Sequence, residues 1–291
     1  MNQNILLSIC VPTYNRSKKF SKFLNSIDTD DNIEVVIVDD GSTEDIKSLL
    51  LPTYKFKLKY YKNEKNKGRS SALYDAINLA SGKYVMIMDS DDYFISGGIE
   101  KVLNQIKENN DVKTFVFGTE IIKNGKKILN KPPKKLWTNL IKLRADYGIK
   151  GDLKEVVRKE YIQRSLYKKS YNFRFSPTSL IWSKLSEISS CYTIDECIAT
   201  KTYLSDGISA SISKIKFDNA EAFCDLFENN SKLNLYNSLI YRLKNKIQYY
   251  RYLFASNKNL SFKFSQILLI LIGYFLFKLD KSKYSKNYKK I

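Results

Sequence analysis

The sequence predicts an α/β fold in which helices flank a mostly parallel sheet, followed by a helical, basic C-terminal extension. Short apolar runs typical of buried strands alternate with amphipathic segments over the first ~120 residues, which is the pattern that βαβ units produce. Polar motifs follow three of these runs, and one motif contains Asp89, Asp91 and Asp92. Because the carboxyl ends of parallel strands lie at one edge of a sheet, we expect these motifs to meet in one ligand-binding crevice.

The elements of the first half alternate regularly between strand and helix. Apolar, β-branched runs such as EVVIV at 34–38 indicate strands that are buried on both faces. Apolar residues on one face indicate the helices, with Ser17 expected to cap the first and Ser42 or Thr43 the second. The predicted strands lie at 6–11, 34–38, 57–61, 84–88 and 114–117. The predicted helices lie at 18–27, 69–80 and 99–107, with a further short helix that follows Ser42 or Thr43 and ends at residue 50.

The composition excludes several classes of catalyst. The chain of 291 residues contains no histidine, so His-ligated metal sites, Ser-His-Asp triads and imidazole bases are ruled out. Proton transfer must then fall mainly to Asp, Glu, Lys, Tyr or Cys. The four cysteines form no CxxC pair, which indicates free thiols in a reducing compartment. No basic leader precedes the first apolar run, so we expect a cytoplasmic protein.

Positive charge is concentrated toward the C-terminus. The net charge is +19, and residues 231–291 contain 13 Lys or Arg and one acid, Asp280. The apolar run at 267–277 (ILLILIGYFLF) is shorter than the ~18–20 residues that a membrane-spanning helix needs, and lysines border it on both sides. This pattern predicts an anchor at the surface of an anionic membrane. The alternative is a helix that packs on the domain, followed by a disordered basic tail.

Four motifs together resemble the family 2 glycosyltransferases with the GT-A fold, of the type that builds bacterial surface polysaccharides. They are VPTYNR at 11–16, VIVDDGS at 36–42, NKGRSSALYDAINLASGKY at 66–84 and MDSDD at 88–92. The resemblance implies an inverting, metal-dependent transfer of one sugar from a UDP-sugar donor to a glycan acceptor that is linked to a polyprenyl diphosphate. Residues 1–120 would then bind the nucleotide sugar, 121–215 would form the acceptor side, and 216–291 would be the basic helical extension.

The resemblance also assigns roles to individual residues. The nucleotide-sugar site would consist of Pro12, Thr13, Tyr14, Asp40, Gly68, Arg69, Asp89 and Ser90. Asp40 would accept a hydrogen bond from the uracil ring, since an ionised carboxylate only accepts. Arg69 would either pair with diphosphate oxygens or lie on the solvated surface. Asp89 and Asp91 would hold Mn²⁺ or Mg²⁺, which would stabilise the departing nucleoside diphosphate.

An inverting transfer also needs a carboxylate to accept the proton of the attacking hydroxyl. Where the family usually has Glu, this chain has Phe173 and Thr178, neither of which can act as a base. The GDxxE pattern at 151–155 and the later YLSDGIS at 203–209 do fit the family. Asp152 is therefore the first candidate for the base. The next candidates are Asp195, Glu196 and Glu155.

Two alternatives and two rival functions follow from the same residues. Asp152 could instead cap a predicted helix at 153–163, and the chain could be a catalytically impaired homologue that binds nucleotide sugars or acts as a scaffold. The charge and the abundant tyrosine suggest nucleic acid, but no RNA- or DNA-binding motif is recognisable, so we expect no such partner. A nucleotidyltransferase is disfavoured because no early Gly-rich, Lys-bearing phosphate loop is present. The expected location is the cytoplasm, at the inner face of the cell membrane.

Overall fold

A computed structural model describes residues 5–28, 32–50, 54–167, 173–202, 212–256, 258–259 and 264–285. Within these residues, one sheet of ten strands is combined with ten α-helices, which confirms the predicted α/β class and the helical C-terminal extension. The strands are β1 (Leu7–Thr13), β2 (Ile33–Asp39), β3 (Lys57–Lys62), β4 (Tyr84–Ile87), β5 (Tyr93–Phe94), β6 (Thr114–Lys123), β7 (Lys126–Asn130), β8 (Trp137–Thr138), β9 (Lys154–Arg158) and β10 (Cys191–Thr202). The helices are α1 (Ser17–Asn25), α2 (Arg69–Leu79), α3 (Gly98–Glu108), α4 (Leu140–Ala145), α5 (Lys159–Ser165), α6 (Ser179–Ile188), α7 (Ile212–Asp218), α8 (Ala220–Lys232), α9 (Leu239–Leu253) and α10 (Ile267–Ser285).

The order of the strands in the sheet is β3-β2-β1-β4-β9-β6-β10-β5, with β7 paired to β6 and β8 to β10. The neighbours β3, β2, β1 and β4 are parallel, as the alternation of strands and helices predicts. Beyond them the sheet is mixed, because β9 runs antiparallel between β4 and β6 and β10 is parallel to β6. The carboxyl ends of β1, β2, β4 and β10 therefore share one edge of the sheet, where a ligand site is expected.

Residues 154–158 form strand β9, whereas the sequence predicted a helix at 153–163. Val156 and Val157 are completely buried in this strand between β4 and β6. β-Branched residues pack well on a pleated surface and lose rotamer freedom in a helix. Helix α5 begins only at Lys159. Asp152 therefore precedes a strand and caps no helix, so that reading of Asp152 was wrong.

The predicted helix caps were also wrong. Ser17 is the first residue inside α1, and its N–H donates to the Glu44 carboxylate at 2.7 Å. The segment expected to form the next helix contains only a 3-10 turn, Lys47–Leu49, with no side-chain cap. Ser42, one of the two expected caps, instead accepts the N–H of Asn15 at 2.9 Å. These contacts tie the loop after β1 to the loop after β2, so tertiary partners replace the local capping bonds.

Two apolar layers cover the two faces of the sheet. Successive residues of a strand point to opposite faces, so Ile9 of β1 packs in the layer of α1 and α3 whereas Cys10 packs in the layer of α2. All four cysteines are buried, and all four are free thiols, as the sequence predicts. Burial also raises the pKa of the Cys10 thiol, which leaves it a core residue rather than a nucleophile. The layers hold the strand ends in fixed positions.

A third apolar cluster joins α8, α9 and α10 to α6 of the domain. Helix α10 lies close against α9 at Gly273, where a Cβ atom would come within 2.6 Å of the Tyr250 Cβ. Arg251 of α9 and Asp280 of α10 form an ion pair with two hydrogen bonds of 2.7 Å. Within the described residues, no helix has the length and apolar character needed to cross a membrane.

Candidate active site

The ends of β1, β2 and β4 bring the predicted motifs together in one cleft of about 420 Å³. Nine of the predicted site residues line it: Pro12, Thr13, Tyr14, Asp40, Arg69, Asp89, Ser90, Asp91 and Asp152. Gly68 directly precedes α2 and lines an adjoining depression together with Tyr14 and Arg69. The donor, metal and base candidates, which are far apart in the sequence, are thus neighbours in space.

Asp40 organises the loop that leads into α2. Its buried carboxylate accepts the backbone N–H groups of Gly68 (2.7 Å) and Lys67 (2.9 Å) and the side-chain amide of Asn63 (3.1 Å). A carboxylate has about four acceptor positions, so one is left for a ligand N–H. The predicted contact with uracil stays a prediction, and the structure adds a second role, because Asp40 fixes the position of the chain before Arg69.

Position 68 requires glycine, both because of its backbone conformation and because of the atoms around it. Its φ of +100° lies in the region that favours glycine. A Cβ atom at this position would also overlap the backbone of Arg174. The loop before α2 therefore packs directly on the segment that leads to α6.

Arg69 is not on the solvated surface but forms part of a charged network inside the cleft. Its guanidinium donates to Asp89 Oδ1 at 2.5 Å and to the Thr178 hydroxyl at 3.0 Å. Thr178, one of the two residues that replace the usual Glu, thus helps to position Arg69. Phe173, the other replacement, does not line this cleft and lies in the adjoining depression.

Lys201, at the end of β10, was missed by the sequence analysis. Its ammonium lies 3.1 Å from Asp89 Oδ2 and 2.8 Å from Asp152 Oδ2. It therefore links the Asp89 carboxylate to the candidate base. A basic residue at the carboxyl end of a strand was the available signal, but its use required knowing that β10 ends at the same edge of the sheet as β4.

The network determines the protonation of its members. Burial opposes ionisation of Asp89, but the Arg69 and Lys201 charges outweigh it and hold the pKa of this carboxyl well below its usual value. Burial would lower the pKa of Lys201, but the surrounding carboxylates, led by Asp89, raise it above its usual value. Both groups are therefore charged at neutral pH.

The carboxylates present fit a hard divalent cation that takes few protein ligands. No cluster of three or more His, Cys, Asp or Glu suited to a metal occurs in the described ranges. Asp91 lines the cleft, whereas both oxygens of Asp89 contact Arg69 or Lys201. Asp92 is buried, is paired with Lys154 at 2.6 Å and does not line the cleft. Mg²⁺ or Mn²⁺ can be held by one or two carboxylates when water and substrate phosphate complete the coordination.

The structure separates the four candidates for the base. Asp152 lines the cleft and its side chain is 45% exposed. Asp195 and Glu196 lie in a bulge of β10 and do not line the cleft, and Glu196 pairs with Lys101 on the surface at 2.8 Å. Glu155 is buried beside the cleft, where burial raises its pKa to about 7. The motif at 203–209 lies outside the described residues.

A family model described as "Glycosyl transferase family 2" matches residues 8–170, more than half of the chain. The chain belongs to this family. The predicted resemblance is thus confirmed, and the match includes every donor and metal candidate as well as Asp152.

Curated relatives include bacterial glycosyltransferases whose names contain an undecaprenol-linked acceptor. The chain is 30% identical over 142 residues to UDP-Glc:alpha-D-GlcNAc-diphosphoundecaprenol beta-1,3-glucosyltransferase WfgD of Escherichia coli, covering 47% of this chain and 55% of WfgD. It is 27% identical over 228 residues to GalNAc(5)-diNAcBac-PP-undecaprenol beta-1,3-glucosyltransferase of Campylobacter jejuni, covering 72% and 68%. With an uncharacterized glycosyltransferase of Rickettsia bellii it shares 36% identity over 122 residues, which cover 41% of this chain but only 18% of that protein.

The fold is similar to a crystal structure of S. aureus TarS 1-349 in complex with UDP-GlcNAc. The TM-score is 0.65 at 19% identity, and the match covers 92% of this chain and 79% of that chain. The structural likeness extends well beyond the residues matched by the family model. At 92% coverage it includes most of the C-terminal helices of this family 2 member.

Proposed function

We propose that this family 2 member is an inverting glycosyltransferase that moves one sugar from a UDP-sugar to a lipid-linked glycan acceptor during bacterial surface-polysaccharide assembly. The observation that carries the proposal is the cleft at the strand ends, in which donor, metal and base candidates from separate motifs meet. The names of two relatives support the substrate class, since both include an undecaprenol-linked acceptor and one includes a UDP-Glc donor. The complex of TarS with UDP-GlcNAc is a further precedent for the donor class.

The charges in the cleft support a requirement for a divalent cation. Four carboxylates and three basic side chains line it, which gives a formal net charge of −1 before substrate enters. They are Asp40, Asp89, Asp91 and Asp152, and Arg16, Arg69 and Lys201. The donor diphosphate adds negative charge, so a cation is needed to offset repulsion. Asp91, together with Asp89, would hold Mn²⁺ or Mg²⁺, which when bound supplies Lewis-acid stabilisation of the leaving UDP.

Asp152 would act as the base. As the acceptor oxygen forms its bond to the anomeric carbon, the bond from that carbon to UDP breaks, and attack from the opposite face inverts the configuration. The Asp152 carboxylate would take the hydroxyl proton. Lys201, 2.8 Å from Asp152 Oδ2, would hold that carboxylate in position.

The proposed location is the cytoplasm at the inner face of the cell membrane, with anionic lipid as a partner of the C-terminal extension. Helix α10 exposes Leu268, Leu271 and Phe275, which are three and four residues apart and so lie on one face. Lysines follow this stripe along the helix. An apolar face flanked by lysines suits the headgroup region of an anionic bilayer.

The test is a screen of UDP-sugars with detection of released UDP. Each donor is supplied with a sugar linked to an alkyl diphosphate, once with Mn²⁺ and once with EDTA. We expect UDP release with one donor that depends on both the acceptor and the cation. If UDP raises the unfolding temperature but no donor is turned over, the chain is instead the catalytically impaired homologue, and the proposed transfer is overturned.

A further inference from the structure

A second cavity of about 720 Å³ lies between the acceptor side of the domain and the C-terminal helices. We call it the helical cavity; side chains of α4, α6, α7, α8 and α9 line it. Four residues line both this cavity and the cleft at the strand ends, which we call the donor cleft: Asp152, Phe175, Thr178 and Ile212. The helical cavity therefore adjoins the donor cleft at the candidate base.

Positive charge predominates in the helical cavity. Four basic side chains line it, against two acids, Asp152 and Glu155. The basic residues are Arg144, Lys150, Lys216 and Lys244. Because the pKa of Glu155 is raised to about 7, that residue carries only part of a charge at neutral pH. The cavity thus has the opposite charge balance to the donor cleft and attracts an anion.

Lys216 is the basic residue whose surroundings point most directly to a ligand. It is half-buried on α7, and its ammonium lies 5.6 Å from the centre of the Phe223 ring. Burial lowers its pKa, and the nearby Arg251 charge lowers it further. No ion pair with a carboxylate is formed by Lys216 within the part of the chain that the structure describes. A half-buried ammonium has lost part of its hydration, and without an acidic partner it is stabilised when an anion binds beside it.

Five aromatic side chains form another part of the lining. They are Phe175, Trp182, Phe223, Phe227 and Tyr241. Ligand sites of this size commonly combine aromatic walls with a few placed polar groups. A hydrophobic pocket with two or more lysines suits a molecule that has both an apolar or sugar-ring surface and a strongly anionic group.

We propose that the helical cavity binds the diphosphate-linked end of the acceptor, with Lys216 and Lys244 contacting the diphosphate and the aromatic residues contacting the first sugar. This inference rests on the proposed function, because it takes the acceptor to be a sugar joined to a lipid by a diphosphate. The acceptor hydroxyl then reaches Asp152 from the side opposite the donor. Helix α9 supports the assignment, since it contributes Lys244 to the cavity and also exposes Leu239 and Ile240 to solvent.

The experiment compares two double variants of equal charge. Lys216→Met with Lys244→Met removes the two cavity lysines, whereas Lys214→Met with Lys246→Met removes two lysines from the same helices that do not line the cavity. Both are made in a Trp137→Phe background, so that Trp182 in the cavity is the only tryptophan and its fluorescence reports binding. The probe is N-acetylglucosamine joined through a diphosphate to a ten-carbon alkyl chain; the same sugar on a neutral alkyl glycoside is the comparison ligand. Thermal unfolding verifies that both variants are folded.

We expect the cavity variant to bind the diphosphate probe about tenfold or more weakly than the control variant, since two charge-assisted contacts are lost. Binding of the neutral glycoside should be the same in both. Equal affinity of the two variants for the diphosphate probe, or no binding by the parent protein, overturns the proposal. A different result would show that the proposed function is wrong while the anion site is right. The cavity variant would bind the diphosphate probe more weakly than the control variant, and the parent protein would turn over no UDP-sugar. In that case the anion site stands and the transfer reaction does not.

Discussion

At the scale of single residues, the site depends on pairs that no sequence motif contains. Asp89 belongs to a motif, but its charge is balanced by Arg69 from the start of α2 and by Lys201 from the end of β10. Lys201 also holds Asp152, which comes from the loop before β9. One ammonium thereby connects Asp89 with Asp152, so a change at Asp89 can affect Asp152.

Replacing Asp152 tests the assignment of the base. Asp152→Asn keeps the shape of the side chain but cannot accept the hydroxyl proton, so we expect kcat to fall by about 10²- to 10⁴-fold. UDP binding in the presence of Mn²⁺, measured by calorimetry, should change less than about twofold. The matched control is Asp195→Asn, which lies in the β10 bulge outside the cleft and should retain activity. Near-normal turnover of Asp152→Asn would remove this residue from the mechanism.

Replacing Lys201 tests the link between the two carboxylates. In Lys201→Met, Asp89 and Asp152 lose a shared cation, so free Mn²⁺ should bind more tightly in the absence of nucleotide, as measured by its electron paramagnetic resonance signal. Turnover should fall by about tenfold or more because Asp152 is no longer held, and Lys201→Arg should restore part of it. Lys101→Met, which breaks a surface pair with Glu196, is the control. Unchanged Mn²⁺ binding in Lys201→Met would show that the ammonium does not compete with the metal.

Glu155 gives a dependence of stability on pH. Its pKa is about 7 in the folded chain because burial disfavours the charged form, against an ordinary value of 4.5. Between these values the unfolded chain releases the proton while the folded chain keeps it, so folding stability decreases as pH rises from about 4.5 to 7. Glu155→Gln removes this effect and should be more stable than the parent at pH 8 by up to about 3 kcal/mol, with no gain at pH 4. Urea unfolding at the two pH values measures the difference; an equal difference at both would contradict the raised pKa.

At the scale of elements, α10 has two apolar faces with different roles. Gly273 and Ile270 face α9 and the third apolar cluster. The opposite stripe includes Leu268, Leu271 and Phe275, which are 66%, 59% and 62% exposed. An exposed apolar stripe on a helix that is already packed on its other side indicates a second contact surface.

Substitution of this stripe tests the membrane contact. The triple variant Leu268→Ser, Leu271→Ser, Phe275→Ser should float with anionic liposomes about tenfold less than the parent chain, because apolar surface that would enter the headgroup region is lost. The packing of α10 on α9 is unchanged, so the unfolding temperature should be preserved. The control is Ile128→Ser with Leu129→Ser, since these two residues of β7 are also more than half exposed. Equal flotation of the triple variant and the parent would exclude α10 as the anchor.

The elements of the site also differ in how well the sequence predicts them. The ends of β1, β2 and β4 were predicted because an apolar run followed by a polar stop is a local property of the chain. Strand β9 was not predicted, because the burial of residues 154–158 depends on β4 and β6, which are distant in sequence. Lys201 was missed for the same reason, as its partner Asp89 is 112 residues away. The strand ends that line the cleft are encoded locally, whereas the contacts of Lys201 with Asp89 and Asp152 depend on tertiary pairing.

At the scale of the whole molecule, charge is separated along the chain. The donor cleft is slightly negative, the helical cavity is positive, and residues 231–291 carry 13 basic residues and one acid. Helix α9 lines the helical cavity and packs against α10. A lipid-linked acceptor held in the cavity would therefore leave its lipid beside the helices that we propose to contact the membrane.

This separation predicts two different responses to salt. Raising the salt concentration from about 0.01 M to about 1 M shortens the screening length from about 30 Å to about 3 Å, which weakens attraction to an anionic surface far more than contacts inside a cavity. We therefore expect flotation with anionic liposomes, and turnover of an acceptor embedded in them, to fall steeply with salt. Turnover of a short-chain acceptor in solution should change by less than about threefold. If turnover of the short-chain acceptor fell with salt as steeply as turnover of the embedded acceptor, the basic extension would act on the cleft itself. Salt-sensitive retention on DNA without any lipid binding would instead favour a nucleic-acid partner.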